Sequence, residues 1–495
     1  MGAPEYRTVP LKTDKMPPGI LYIVSNEAAE RFSFYGMNSI LVVFMTTYLC
    51  DAHGNLALMT DARANAWFHT FVSAVYGLCV LGAVLSDAFI GKFRTIMLLS
   101  IVYCFGHLAL AMDHTRLGLF LGMLLISIGA GGIKPCVSAN VGDQFGVGNQ
   151  HLLARVFSWF YFSINFGSAF STLLIPWLLE PCHSNLAPGG RPPSTFDRFL
   201  EQIHSPSVAF GVPGIFMLIA TGIFWLGRKK FVHIQPSRQR FVAEFFHVEM
   251  FRAARAKPGE NLIRRTISAL NAETLKILGN LLIPVPFVAI FWALWQQNFS
   301  SWVEQAKRMD CHLFGHEWLP AQIQTANPIF ILVMLPLFAY AIYPAIDKVF
   351  RLTPLRKIGL GFCLTAFAFL IVGWIQVRID AAQSPNIIWQ VLAFVVLTAA
   401  EVMVSPTHLE FAYTQAPRRL KSLVMCTYLL SVSIGNQFTA VVNALKDNGT
   451  LKLEGASYFF FFATLMVVAA ILFMFVAGFY RGKTNVQGEA EPRPS

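Results

Sequence analysis

The chain has 495 residues, 55% of them hydrophobic and 13% charged, and its mean hydropathy is +0.53. Soluble domains carry about a quarter charged residues, so this composition points away from a soluble enzyme. The formal charge is +11, but no basic tract alternates with aromatic residues as a nucleic-acid surface requires, and no nucleic-acid partner is expected.

A helix needs about 20 apolar residues to cross the hydrocarbon core of a bilayer. Twelve such runs are predicted. The first six cover roughly 19–50, 63–88, 93–112, 117–141, 155–179 and 207–226. The second six cover roughly 274–304, 320–346, 356–376, 386–414, 421–444 and 457–480. The pattern predicts an all-α membrane protein of two six-helix bundles, with the lipid bilayer as a partner. Residues 1–18 form an N-terminal segment, 19–226 the first bundle, 227–273 a linker, 274–480 the second bundle and 481–495 a polar tail. In the linker, Phe241, Phe245, Val248 and Phe251 recur at helical spacing among arginines, which predicts an amphipathic helix at the headgroups.

An even number of spans puts both termini on one side. That side carries 27 Lys and Arg against 9 on the other, so the positive-inside rule makes the termini cytoplasmic. Loops 2–3 and 8–9 echo one another, with Asp87, Lys92 and Arg94 in the first and Asp347, Lys348 and Arg351 in the second. Parallel six-span halves predict a transporter whose site lies between them near the midplane. Six of the eight cysteines lie in apolar runs, where Cys behaves as a small hydrophobe. Cys182 and Cys311 lie in polar loops and form a candidate pair.

A charge at the centre of a span costs about 2.5–3.5 kcal/mol on insertion scales, so charges found there are the functional candidates. Span 1 holds Glu27, Glu30 and Arg31, which offsets of three and four place on one helix face. Arg31 paired with Glu27 one turn back would leave Glu30 free to exchange a proton. A structural cluster that only joins helices is the alternative. Lys134 lies in span 4 within Gly129-AGGIKP, where the glycines let a backbone or a ligand come close. It calls for Glu27 or Glu30 as its partner. Glu401 is the lone acid in the apolar stretch of span 10 and reads as a ligand for a cationic group. Asn165, Asn327, Tyr35, Tyr76 and Trp292 add uncharged polar groups. Singly, such residues are common helix–helix contacts; together with these acids and bases they would form a polar cavity that grips both ends of a zwitterion. GxSxG, P-loop, HExxH and strand-borne GxGxxG motifs are absent from the sequence. The loop histidines lack metal-ligand spacing, so neither enzyme chemistry nor a metal is expected.

These residues, in this order, resemble a known family. Glu27-AAERFSFYG is similar to the ExxERFxYYG signature of the proton-dependent oligopeptide transporters, a branch of the major facilitator superfamily. Gly129-AGGIKP, Asp143-QF, Phe160-YFSINFGS, Phe291-WALWQQ, Asn327-P and Glu401-VMVSPTHLEFAY resemble further motifs of that family, over about residues 20–445. The resemblance implies the major facilitator fold and proton-driven uptake of di- and tripeptides by alternating access, with the proton as coupling ion and no other cofactor. It implies that Glu27, Glu30, Arg31 and Lys134 couple proton movement to the cycle. Arg31 and Lys134 would serve the peptide carboxylate, and Glu401 would hold the amino group, assisted by Asn165 and Asn327. Tyr35, Asn38, Tyr76, Trp292 and Tyr428 would line the substrate cavity, and Asp87 would belong to a cytoplasmic gate between spans 2 and 8.

Three residues depart from the family pattern. Phe34 replaces the first Tyr of the signature pair, Asn38 stands where peptide-transporting members commonly have Arg, and Gln296 stands where span 7 usually has an acid. The last two remove one cation and one anion, so the net charge of the pocket is kept. The expectation is a plasma-membrane importer, placed in a bacterial inner membrane because loop 9–10 is short, that requires no oligomer. The alternatives are a carrier of the same fold for another small anion or zwitterion, such as nitrate or an amino-acid derivative, and a non-transporting sensor.

Overall fold

The computed structural model describes residues 6–180, 203–236, 283–415 and 421–479. The expected amphipathic linker helix, Cys182 and the polar tail lie outside these residues. Cys311 is a free thiol among them.

Helices α1 (Ile20–Thr47), α2 (Asp61–Val84), α3 (Lys92–Met112), α4 (Arg116–Asp143), α5 (Leu153–Leu179) and α6 (Pro206–Leu226) form the first bundle. The second contains α7 (Val285–Trp295), α8 (Ser301–Ala306), α9 (Ala326–Leu337), α10 (Tyr343–Val349), α11 (Pro354–Asp380), α12 (Ile388–Gln415), α13 (Lys421–Asp447) and α14 (Ala456–Phe479). Among the described residues, nine helical stretches are long and apolar enough to cross a membrane. With α1, the α7–α8 pair and α13, the spans number twelve.

Several starts are fixed by side chains. Thr60, Thr115, Ser205 and Thr353 accept hydrogen bonds from backbone N–H groups in the first turns of α2, α4, α6 and α11, a contribution of about 1 kcal/mol each. Spans 7 and 8 change helical type along their length. Span 7 tightens to a 3-10 turn at Gln296–Phe299 between α7 and α8. Span 8 begins as a 3-10 turn, Pro320–Thr325, and widens to a π turn at Phe338–Ile342. Within a membrane such backbone occurs where protein covers it or where it lines a cavity.

In the first bundle α3 packs on α4, and α1 on α5 and α6; in the second α11 packs on α12 and α14, and α7 on α13. The glycine run of α4 permits its close approach to two neighbours. A Cβ on Gly131 would strike Val75 O of α2, and one on Gly129 would lie 2.6 Å from Tyr103 Cβ of α3.

The bundles meet through α2 on α13 and α5 on α9. At the rim away from the termini, Arg63 pairs with Asp447 at 2.9 Å and Arg308 with Asp61 at 3.1 Å. Deeper in, Asn65 donates to Glu304 at 3.2 Å, and Ser73 and Ser433 bond at 3.1 Å. Thr172 and Thr325 bond at 3.0 Å, and Gln324 Nε2 donates to Ser39 O at 3.2 Å. His69 contacts Asn436 and Ser300 in the same layer. These contacts run from mid-depth outward, so the molecule is sealed on the side away from its termini.

Candidate substrate-binding cavity

The middle of α1 is buried on nearly every face, so its charged residues must answer to one another. Arg31 Nε lies 2.9 Å from Glu27 Oε1 and 2.6 Å from Glu30 Oε2, and all three residues are buried. This corrects the expectation that Arg31 serves Glu27 alone: one guanidinium is shared by both acids. Gly167 of α5 packs against this turn, where a Cβ would sit 2.5 Å from Ala28 O and 3.3 Å from Arg31 Cβ.

The expected pairing of Lys134 with Glu27 or Glu30 is also corrected. Among the described residues no ion pair within 4 Å includes Lys134. Its ammonium instead lies 4.1 Å from the centre of the Phe34 ring and 5.4 Å from that of Tyr76. Arg31 lies over the same Phe34 ring at 5.8 Å. Both acids are already engaged by Arg31, and the Phe34 face takes the second cation. Such a contact contributes about 0.5–2 kcal/mol, and Glu30 and Glu27 act on Lys134 through space without an ion pair.

The opposite wall is built on Glu401 of α12. Its Oε2 accepts from Trp295 Nε1 at 2.9 Å and from Asn327 Nδ2 at 2.8 Å. Asn327, at the start of α9, also donates to Thr398 at 3.1 Å. Tyr428 of α13 bonds Ser405 at 2.9 Å through its hydroxyl. Trp292 stands edge-to-face with Trp295 and with Tyr428, at 5.3 and 6.2 Å between ring centres. Tyr35 stacks on Phe299 at 6.0 Å. Tyr35, Tyr76, Lys134, Glu401 and Tyr428 all keep partial accessibility at mid-span. Tyr35 and Tyr76 on the first bundle lie within electrostatic reach of Glu401 and Tyr428 on the second, which makes the space between them the candidate cavity.

Three expected site residues stand apart. Asn165 donates to Tyr161 O of its own helix at 3.0 Å and reaches neither Glu401 nor Asn327 by hydrogen bond. Asn38 is wholly buried, and neither its Oδ1 nor its Nδ2 has a partner among the described residues. Asp87 is exposed in the π turn Leu85–Ile90, accepts from neighbouring Ser86 at 3.0 Å, and bonds to no span 8 residue among those described.

Trp295 and His69 were not expected. Trp295 lies in an aromatic run, where one more ring carries no distinct signal. His69 was open to detection, since a lone histidine inside an apolar span is as costly as it is rare.

The sequence model of the POT family matches residues 93–266 and 253–461. The chain belongs to the POT family. This POT family chain is 36% identical to Peptide transporter family 1 of Drosophila melanogaster over 387 residues, 74% of this chain and 48% of that protein. It is 34% identical to Solute carrier family 15 member 1 of Homo sapiens over 403 residues, 74% of this chain and 52% of that protein. The chain spans about half the length of the curated relatives it matches. Among solved structures, it is similar to the in meso crystal structure of the POT family transporter PepTSo, with a TM-score of 0.78 and 32% identity over 94% of this chain and 98% of that one. An auto-inhibited POT family peptide transporter gives a TM-score of 0.78 and 31% identity, over 96% of this chain and 99% of that one. The POT family chain is thus a multi-pass membrane protein with the all-α major facilitator fold that the resemblance implies.

Proposed function

We propose that this chain imports di- and tripeptides together with protons, by alternating access. The observation that carries the reading is the opposition of charge across the cavity, with Arg31 and Lys134 on the first bundle and Glu401 on the second. A short peptide is a zwitterion. Bound between these poles it touches both bundles at once, so its occupancy bears directly on how they rotate about each other. The names of the curated relatives, peptide transporter among them, support the same substrate class.

Arg31 also offers a route to coupling. A substrate carboxylate competes with Glu27 and Glu30 for the guanidinium. When it succeeds, two neighbouring carboxylates are left facing each other, and a shared proton relieves their repulsion. Lys134, bound by ring faces, is free to join the substrate. The proton is the coupling ion, and the reading calls for no other cofactor. Both bundles come from one chain, so a monomer suffices.

The excess of Lys and Arg on the side of the termini supports a cytoplasmic location for both. The sealed side then faces outward. The membrane assigned is the plasma membrane, the inner membrane in a bacterium. The test is uptake of a labelled dipeptide into liposomes under an inside-alkaline gradient. Accumulation above equilibrium is expected. Accumulation of nitrate or an amino-acid derivative, with no response to any peptide, would overturn the reading.

A further inference from the structure

We propose that the Glu401 end of the cavity is an aromatic box that accepts alkylated ammonium groups as readily as primary ones, with Trp295 as its specificity-determining wall. The proposal rests on the peptide reading above and concerns the first residue of the peptide.

Two neutral donors, Trp295 and Asn327, occupy Glu401 Oε2. No cation of the chain lies within ion-pair distance of this carboxylate among the described residues. Its second oxygen, Oε1, is therefore the acceptor left for a ligand. The surroundings are rings: Trp292 and Trp295 pack edge-to-face, and Trp292 packs edge-on to Tyr428. Tyr35, Tyr161 and Tyr428 lie within electrostatic reach of Glu401. Tyr428 is engaged with Ser405 and Asn165 with Tyr161 O, and Trp292 Nε1, which has no partner among the described residues, is a donor and cannot accept from an ammonium.

A primary ammonium brings three N–H donors. One carboxylate oxygen and a set of ring faces cannot satisfy all three, and each donor left unpaired costs free energy. Replacing a hydrogen by a methyl group removes one such donor and sets apolar surface against the rings, while the charge still meets both Oε1 and the π faces. A secondary amine, as in an N-methylated or proline-first peptide, therefore loses little at this site.

The experiment is competition against uptake of labelled alanyl-alanine in liposomes, using unlabelled alanyl-alanine and its N-methyl and N-acetyl forms. In the unaltered carrier the N-methyl form should compete within about threefold of the parent, and the neutral N-acetyl form should fail. Trp295→Leu, which removes the ring, should widen the N-methyl to parent ratio beyond about tenfold, a ratio equivalent to about 1.4 kcal/mol. Trp295→Phe should keep the ratio near its original value. A loss of about tenfold or more on N-methylation in the unaltered carrier would overturn the proposal, and that measurement depends on no variant. An unchanged ratio in Trp295→Leu would overturn it as well. If alanyl-alanine itself neither enters nor competes, the peptide reading falls and this inference falls with it.

Discussion

His69 Nδ1 and Asn436 Oδ1 lie 2.8 Å apart across the bundle interface, and both residues are fully buried. An amide oxygen only accepts, so Nδ1 donates. Nε2 is then left to accept from Ser300 Oγ at 3.0 Å. One imidazole thereby ties α2 both to α13 and to the break in span 7.

Removal of this tie should loosen the seal. His69→Leu strands the buried Asn436 Oδ1, while Ser300 Oγ keeps Gln297 O, a cost of about 1–3 kcal/mol to the closed arrangement. Spin labels at the exposed positions Asn55 and Asn448 should report a larger population at long distance in the variant. A distance distribution identical to that of the parent would show that the seal does not depend on His69.

Asn327 uses both amide hydrogens, on Thr398 and Glu401. Asn327→Ala leaves the carboxylate with Trp295 as its one remaining donor of the pair. The half-saturating peptide concentration should rise by about 5- to 30-fold, corresponding to about 1–2 kcal/mol, with little change in maximal rate. A fall in maximal rate at unchanged half-saturation would mean that Asn327 acts on reorientation rather than on binding.

The shared guanidinium gives Glu30 a specific expectation. Glu30→Gln keeps the shape but removes one of the two acids that hold Arg31. Gradient-driven accumulation should be lost, whereas counterflow exchange of substrate, which needs no net proton movement, should remain measurable. Accumulation against a gradient by this variant would move the proton site to Glu27 or Glu401.

Outside the membrane, Asp310 joins the segment after α8 to the start of α12. Its Oδ1 accepts from the backbone N–H and Nδ1 of His312, at 3.1 and 3.0 Å, and its Oδ2 from Asn386 at 3.0 Å. The His312 backbone bond first, and then the Asn386 bond, hold this exposed carboxyl below its ordinary value of 3.8. A carboxyl lowered on folding contributes stability that is fully present above its unfolded value and is lost as pH falls through the lower folded one. The protection factors of the His312 and Ile387 amides, with intrinsic exchange divided out, should therefore stay constant across about pH 5–7 and fall only below about pH 4. Loss of protection well above the carboxyl range would show that the clasp does not depend on the Asp310 carboxylate.

Much of the site was open to reading because charge is costly in hydrocarbon. Glu27, Glu30, Arg31, Lys134 and Glu401 stand out from apolar runs for that reason alone; the first three are buried together on α1, and Lys134 and Glu401 keep partial accessibility on opposite bundles. Their partners were harder to read. Helical offsets showed that Arg31 is near two acids but not that it divides itself between them. Phe34 looked like a lost hydroxyl, and its ring turns out to hold Lys134 in place of an acid. The seal depends on side chains such as His69 and Asn436, 367 residues apart. Periodicity reports which face of a helix is apolar; it does not report which distant helix that face will meet.

The seal is graded from rim to centre. Its outer course consists of Arg63–Asp447 and Arg308–Asp61, charges that remain partly in water. Its inner course is made largely of uncharged groups: Ser73 with Ser433, His69 with Asn436, Thr172 with Thr325. Dissolved salt screens exposed charges over about 8–10 Å but leaves buried neutral bonds nearly untouched. Ionic strength should thus govern how quickly the two rims find each other, and have little influence on how firmly the halves hold once they have met.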